Sequence, residues 1–174
     1  MIDNIELYRF EDLPKVGQIE ALHAERQRII NTGYLWADEC FNSLFAYYDL
    51  LGLKISDYKI CFWDIEDSYL HTKRKSKYAQ ILKPEVVSNI RSAEGMLTGY
   101  CMDQTLYSAL NECIYNGEEN PNTIAKHLYD RWIEEARKDA DITLSEEYIH
   151  SWFDHVGALF TEDGKLFTSK FYIQ

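Results

Sequence analysis

The pair Asp163-Gly164, flanked by Phe160 on one side and Leu166-Phe167 on the other, constrains this chain most. Asp-Gly between apolar flanks calls for a hairpin, because a type I′ turn needs positive φ, which glycine accepts without a Cβ clash. The residues ahead of it read as a helix, with Tyr148, Ile149, Trp152, Phe153 and Val156 on one apolar face. Ser145 is placed to cap that helix, and Leu144 is spaced to pack on Ile149 as a hydrophobic staple. Residues 144–174 therefore predict a capped helix feeding a β-unit that other strands can join.

Other segments offer those strands and further helices. Ile5 to Phe10 alternates apolar and polar residues and predicts a strand. Glu11-Asp12-Leu13-Pro14 then starts a helix, with acids where the helix dipole favours them and a proline where no amide is needed. Ile19, Leu22, Arg26 and Ile29/Ile30 form its stripe, and Asn31-Thr32-Gly33 stops it. A second helix, Tyr34 to Leu51, carries Trp36, Cys40, Leu44, Tyr47 and Leu51 at helical spacing, widened by Phe41, Phe45 and Tyr48. Gly52 suits a left-handed stop. Leu53 to Trp63 has apolar residues on both faces and predicts a central strand.

Pro84 and Glu85 open a helical stretch that breaks at Glu94-Gly95 and runs on to Asn116-Gly117. Asn122 is placed to cap a helix from Thr123 to Ala140, whose stripe is Ile124, Leu128, Trp132 and Ala136. The fold expected is α+β, a single domain over residues 1–174. Its small, mostly antiparallel sheet comes from residues 4–10, 53–63 and the C-terminal hairpin, and packs against about five helices.

Hydrophobic residues make up 46% of the chain and aromatics 14%, enough to build a core in 174 residues. The net charge of −11 is uneven: residues 102–164 hold 14 acids and 4 bases, whereas residues 71–101 hold 2 acids and 6 bases. A field of this sign repels nucleic acid and favours basic partners, so no direct DNA binding is expected. Cys40, Cys61, Cys101 and Cys113 stand far apart without Cys-x-x-Cys spacing and read as reduced, buried thiols. No basic-then-apolar opening and no apolar run near ~18 residues is present, so a cytoplasmic protein without membrane contact is expected.

Signatures of chemistry are sparse. His150 and Asp154 are one helical turn apart and could share a metal, but His155 is turned about 100° from Asp154. A third ligand would have to come from elsewhere, so neither a metal nor another cofactor is expected. There is no Gly-x-Ser-x-Gly, no Gly-x-x-x-x-Gly-Lys, and no cysteine in a Gly-flanked or helix-start setting. Asp64, Glu66 and Asp67, followed by Lys73 and Lys75, could imitate a metal-dependent nuclease site.

Binding is the remaining mechanism. Glu134, Glu135, Asp139, Glu146 and Glu147 would make a long acidic surface, able to offer carboxylates where a partner's Arg and Lys expect phosphates. Lys73, Arg74 and Lys75, interleaved with Tyr69, His71 and Tyr78, form a second, basic candidate surface.

Leu7-Tyr-Arg-Phe-Glu-Asp-Leu-Pro14 with Gln18-Ile-Glu-Ala21, then Tyr34-Leu-Trp36, Leu51-Gly-Leu-Lys-Ile55 and Phe160-Thr-Glu-Asp-Gly-Lys-Leu166, together resemble small acidic proteins encoded by phages and prophages of Gram-positive bacteria. The resemblance covers about half the chain; Gly17-Gln18-Ile19 departs from the family's small-residue context, and residues 64–123 do not match. It implies an accessory protein of the anti-CRISPR or antirestriction type, whose partner is a host CRISPR effector or another nucleic-acid-handling protein. It transfers no site residue. A small metal-dependent nuclease and a structural or regulatory phage protein working as a homo-oligomer are the alternatives.

Overall fold

Four stretches of the computed structural model are described: residues 5–64, 67–74, 97–100 and 102–167. They pack as two compact units, one holding the described residues up to Gly33 and from Asp141 onward, the other those from Tyr34 to Ala140.

In the first unit the chain enters through a 3-10 turn, Phe10–Asp12, and continues into helix α1, Lys15–Thr32, with Pro14 at its N-cap and Gly33 at its C-cap. Near the C-terminus the unit holds helix α5, Glu146–Val156. Its cap is as expected: Ser145 Oγ accepts the Tyr148 amide at 3.2 Å. The core gathers Phe10, Leu13, Ala21, Leu22, Ile149, Phe153 and Phe160. Phe153 and Phe160 meet edge to face at 4.9 Å, and Phe10 lies 5.3 Å from Phe153. Of the apolar face expected on α5, only Ile149 and Phe153 are buried, while Tyr148, Trp152 and Val156 stay substantially exposed.

A turn forms here, but it is centred on Glu162-Asp163, with Gly164 as its fourth residue, rather than being a type I′ turn centred on Asp163-Gly164. Gly164 has φ +82°, its amide donates to Thr161 O at 2.8 Å, and the Thr161 amide donates to Lys165 O at 3.0 Å. Thr161 Oγ1 and Lys165 Nζ both donate to the Asp163 carboxylate, which holds its pKa well below the usual carboxylate range, at about 2. The turn lies against α1 at Gly17: a Cβ there would meet Glu162 O at 2.5 Å. This close approach is what fixes the entry of α1. Among the described residues, the sheet expected around the turn amounts to isolated antiparallel bridges, Tyr8 to Phe160 and Phe160 to Leu166. Residues 5–10 do not form a strand, because Phe10 turns into the core while Ile5 remains exposed, so the alternation faces no buried surface.

The buried line of α1 is Gly17, Ala21, Leu22 and Glu25; Ile19 is exposed. Glu25 is tolerated there because Arg28 forks onto it, at 2.8 and 2.6 Å. Arg26 instead donates to Leu144 O at 2.9 Å.

The second unit begins with helix α2, Ala37–Leu50, followed by strands β1, Leu53–Lys59, and β2, Tyr69–Arg74. Helix α3, Asp103–Tyr115, and helix α4, Pro121–Thr143, follow, the second unit's part of α4 ending at Ala140. The stripe expected on α4 is fully buried: Ile124, Leu128, Trp132 and Ala136 all have zero exposure. Cys40, Leu44, Tyr47 and Leu51 of the expected α2 stripe are likewise buried, and Gly52 takes its positive φ. Polar tips are satisfied inside this core. Tyr47 donates to Asp103 O at 3.1 Å, Tyr48 to Ala125 O at 2.7 Å, and Trp132 Nε1 to Cys40 O at 2.9 Å. Cys40 and Cys113 are buried free thiols and Cys61 a partly buried one; Cys101 lies outside the described residues.

Strand β1 is not the covered central strand that its apolar content suggested. It stops at Lys59, pairs antiparallel with β2 from Leu53–Arg74 to Lys59–Tyr69, and is exposed along most of its length. Phe62 leaves the strand for the core, its ring 4.7 Å from Tyr34. Ser68 Oγ holds that exit, accepting the Cys61 amide and donating to Cys61 O. On α4 the cap is Asn120, whose Oδ1 accepts the Asn122 amide at 3.0 Å, rather than Asn122. The helical stretch expected from Pro84 through Met96 lies outside the described residues. The architecture is thus α+β, with helices and a two-stranded antiparallel sheet among the described residues.

Candidate functional site: an acidic, aromatic cleft

Within the second unit, the start of α2, the bend at residues 97–100, α3 and α4 enclose a cleft of about 500 Å³. Its walls include Tyr34, Trp36, Glu39, Tyr100, Glu135 and Asp139. Each side chain has a local reason to be there. Glu39 lies in the first turn of α2, where the helix dipole favours a carboxylate. Glu135 and Asp139 are four apart on α4 and so share a side of the helix, next to Trp132 and Ala136, with both carboxylates exposed. The buried Tyr34 hydroxyl donates to Asp139 Oδ2 and steadies that carboxylate.

Tyr100 is positioned from below. Asp103, 1% exposed, accepts the Thr98 amide at 2.6 Å, the Gly99 amide at 2.8 Å and Thr98 Oγ1 at 2.9 Å. Thr98 Oγ1 also lies 3.2 Å from Ser43 Oγ, tying the bend to α2. Trp36 and Tyr100 remain 47% and 41% exposed, two rings left open beside three carboxylates. No Lys, Arg or His lines this cleft among the described residues. Such a surface suits a cation: carboxylates supply charge-assisted hydrogen bonds, and Trp and Tyr faces attract ammonium or guanidinium groups.

Another cleft, about 600 Å³, runs beside β1 from Phe45 to Tyr58. Its charges are mixed, with Lys54 among Asp49 and Asp57, and its Tyr48 and Ser56 hydroxyls are spent on Ala125 O and His71 O. It offers less to any one kind of ligand.

Of the residues singled out in the sequence, Glu135 and Asp139 converge on the acidic cleft. Glu134 points to Lys138, at 2.9 Å, which lowers its pKa, and Lys138 also reaches Glu135 at 3.4 Å. Glu146 and Glu147 belong to the other unit, in the exposed first turn of α5. Lys73 sits across from Lys54 on the hairpin, Tyr69 rests its ring 5.2 Å from His71, and Arg74 pairs through its backbone with Leu53. Lys75 lies outside the described residues, as does Glu66.

The nuclease-like grouping is not assembled by the described residues. Asp67 pairs with Lys59 at 3.0 Å, beside Tyr69, whereas Lys73 stands about 13 Å further along β2. Sequence reasoning missed Tyr34, Glu39 and Tyr100 as site residues and took Trp36 for part of a core stripe. The exposed Trp36 before the acidic first turn of α2 was the one available signal.

No protein-family model, curated protein or solved structure matches this chain. Among the described residues, no helix is long and apolar enough to cross a membrane.

Proposed function

We propose that this protein is a binding protein of a phage or mobile element that inhibits a host defence nuclease, a CRISPR effector first among them, by holding basic side chains of its nucleic-acid-binding surface. The acidic cleft carries the reading: an Arg or Lys that would otherwise meet a phosphate enters between Glu39, Glu135 and Asp139, against Trp36 and Tyr100. The net charge of −11 supports it, since it steers the protein toward positive surfaces and away from nucleic acid. Affinity in this mechanism comes from a few desolvated anchors, and the remaining acidic surface contributes association rate.

Pull-down against a panel of CRISPR and restriction nucleases, followed by a DNA-cleavage assay, tests it. Capture of at least one nuclease with protection of its substrate is expected. No capture and no protection across the panel overturns the proposal.

A further inference from the structure

In the first unit, residues far apart in sequence place three metal-ligating groups together. Glu11, His150 and Asp154 each bring a ligand atom within 4.8 Å of the other two. Sequence spacing supplies only His150 and Asp154, one turn apart on α5; the 3-10 turn at Phe10–Asp12 brings the third. We propose that these three side chains bind a divalent first-row transition-metal ion, Zn²⁺ above all, at a site separate from the acidic cleft.

The state of His150 is the observation that points to a ligand. Its Nε2 is shielded from solvent and has no hydrogen-bond partner, although the ring as a whole is partly open. The nearest carboxylate oxygen on α5, Asp154 Oδ2, is 3.9 Å away, too far for a hydrogen bond. A shielded imidazole nitrogen ordinarily finds a partner, and here two carboxylates converge on it without providing one. A metal ion between them satisfies the nitrogen and offsets the repulsion of the paired carboxylates at once.

Geometry and donor chemistry agree. Two ligands about 2.1 Å from zinc stand about 3.4 Å apart at a tetrahedral angle, so a 3.9 Å separation closes with a small rotamer change. Glu11 and Asp154 are both exposed and free to make it. One imidazole and two carboxylates suit zinc or its neighbours better than calcium or magnesium, which prefer oxygen alone. Three protein ligands leave a position open to water or to a partner's side chain. The frame is firm: Phe10, next to Glu11, packs tilted against the His150 ring at 5.1 Å and against Phe153 at 5.3 Å, and Ile149, next to His150, is fully buried.

Calorimetric titration of the chelator-treated full chain with ZnCl₂, paired with the visible spectrum of the Co²⁺ form, tests the site. One ion per chain is expected, with a spectrum free of sulfur-to-metal charge transfer. Glu11→Gln, an exposed change that leaves the fold alone, and His150→Ala should each weaken Zn²⁺ binding by about tenfold or more. His155→Ala should leave it unchanged. Absence of stoichiometric binding, a thiolate spectrum, or equal affinity in wild type and Glu11→Gln would overturn the assignment. Loss of binding in Glu11→Gln with nuclease protection retained separates this site from the acidic cleft.

Discussion

Gly164→Ala is expected to lower stability by about 3–5 kcal/mol, far beyond what a surface glycine normally costs. Two effects add. At φ +82° an L-residue is strained by about 1–2 kcal/mol. The new methyl would also run into the backbone oxygen of Gly17, with the Gly17 carbonyl carbon 2.9 Å away, and neither is a flexible side-chain end that can swing aside. Gly17→Ala attacks the same contact from α1, against Glu162 O, so the two changes should combine to less than their sum. Gly117 provides the control: its φ is +72°, but nothing lies within 4 Å of its added Cβ, so Gly117→Ala should cost only the strain, about 1–2 kcal/mol. Urea-unfolding midpoints measure all three. Equal losses at Gly164 and Gly117 would mean that the turn and α1 do not touch as described.

The second large effect belongs to Asp103. Asp103→Ala removes the buried carboxylate that accepts from the partly open Thr98 and Gly99 amides and from the Thr98 hydroxyl. A hydrogen bond to a charged group contributes about 1.5–3 kcal/mol, and water can partly replace the acceptor at these open amides, so a loss of about 2–4 kcal/mol is expected in thermal or urea unfolding. The consequence reaches function, because the same bonds hold the bend that carries Tyr100 into the cleft. Asp103→Ala should therefore weaken nuclease protection even where the variant remains folded. Asp103→Asn, which keeps one acceptor oxygen, should be milder on both counts. A stability change under about 1 kcal/mol for the alanine variant would contradict the network.

What could be read from the chain follows from how local each cause is. Caps and stops depend on neighbours in sequence, and Ser145, Gly33 and Gly52 stand where local rules put them. The α4 stripe was legible because Ile124, Leu128, Trp132 and Ala136 differ from their surroundings at a constant period. Strand partners were not legible. The segment around Tyr8 and the segment around Leu53 show similar apolar content, and only tertiary packing decides that one makes a single bridge while the other pairs with residues 69–74.

The same division holds for the site. Glu135 and Asp139 stood out by charge, but their companions Trp36 and Tyr100 enter the cleft from distant segments. Spacing on α4 placed Glu134 beside them, although its carboxylate belongs to Lys138. Likewise, nothing in the order of residues joins Glu11 to His150; the aromatic packing around Phe10 does that.

The acidic cleft is proposed to grip a partner's basic side chains. The most direct test is the affinity of Glu135→Lys, beside wild type, for a nuclease captured in the panel, measured across a salt titration. Wild-type affinity is expected to fall steeply as salt rises, and reversing this one charge to weaken binding by about tenfold or more and to remove protection. A Glu135→Lys protein that binds and protects like wild type, with an affinity indifferent to salt, would contradict the proposal.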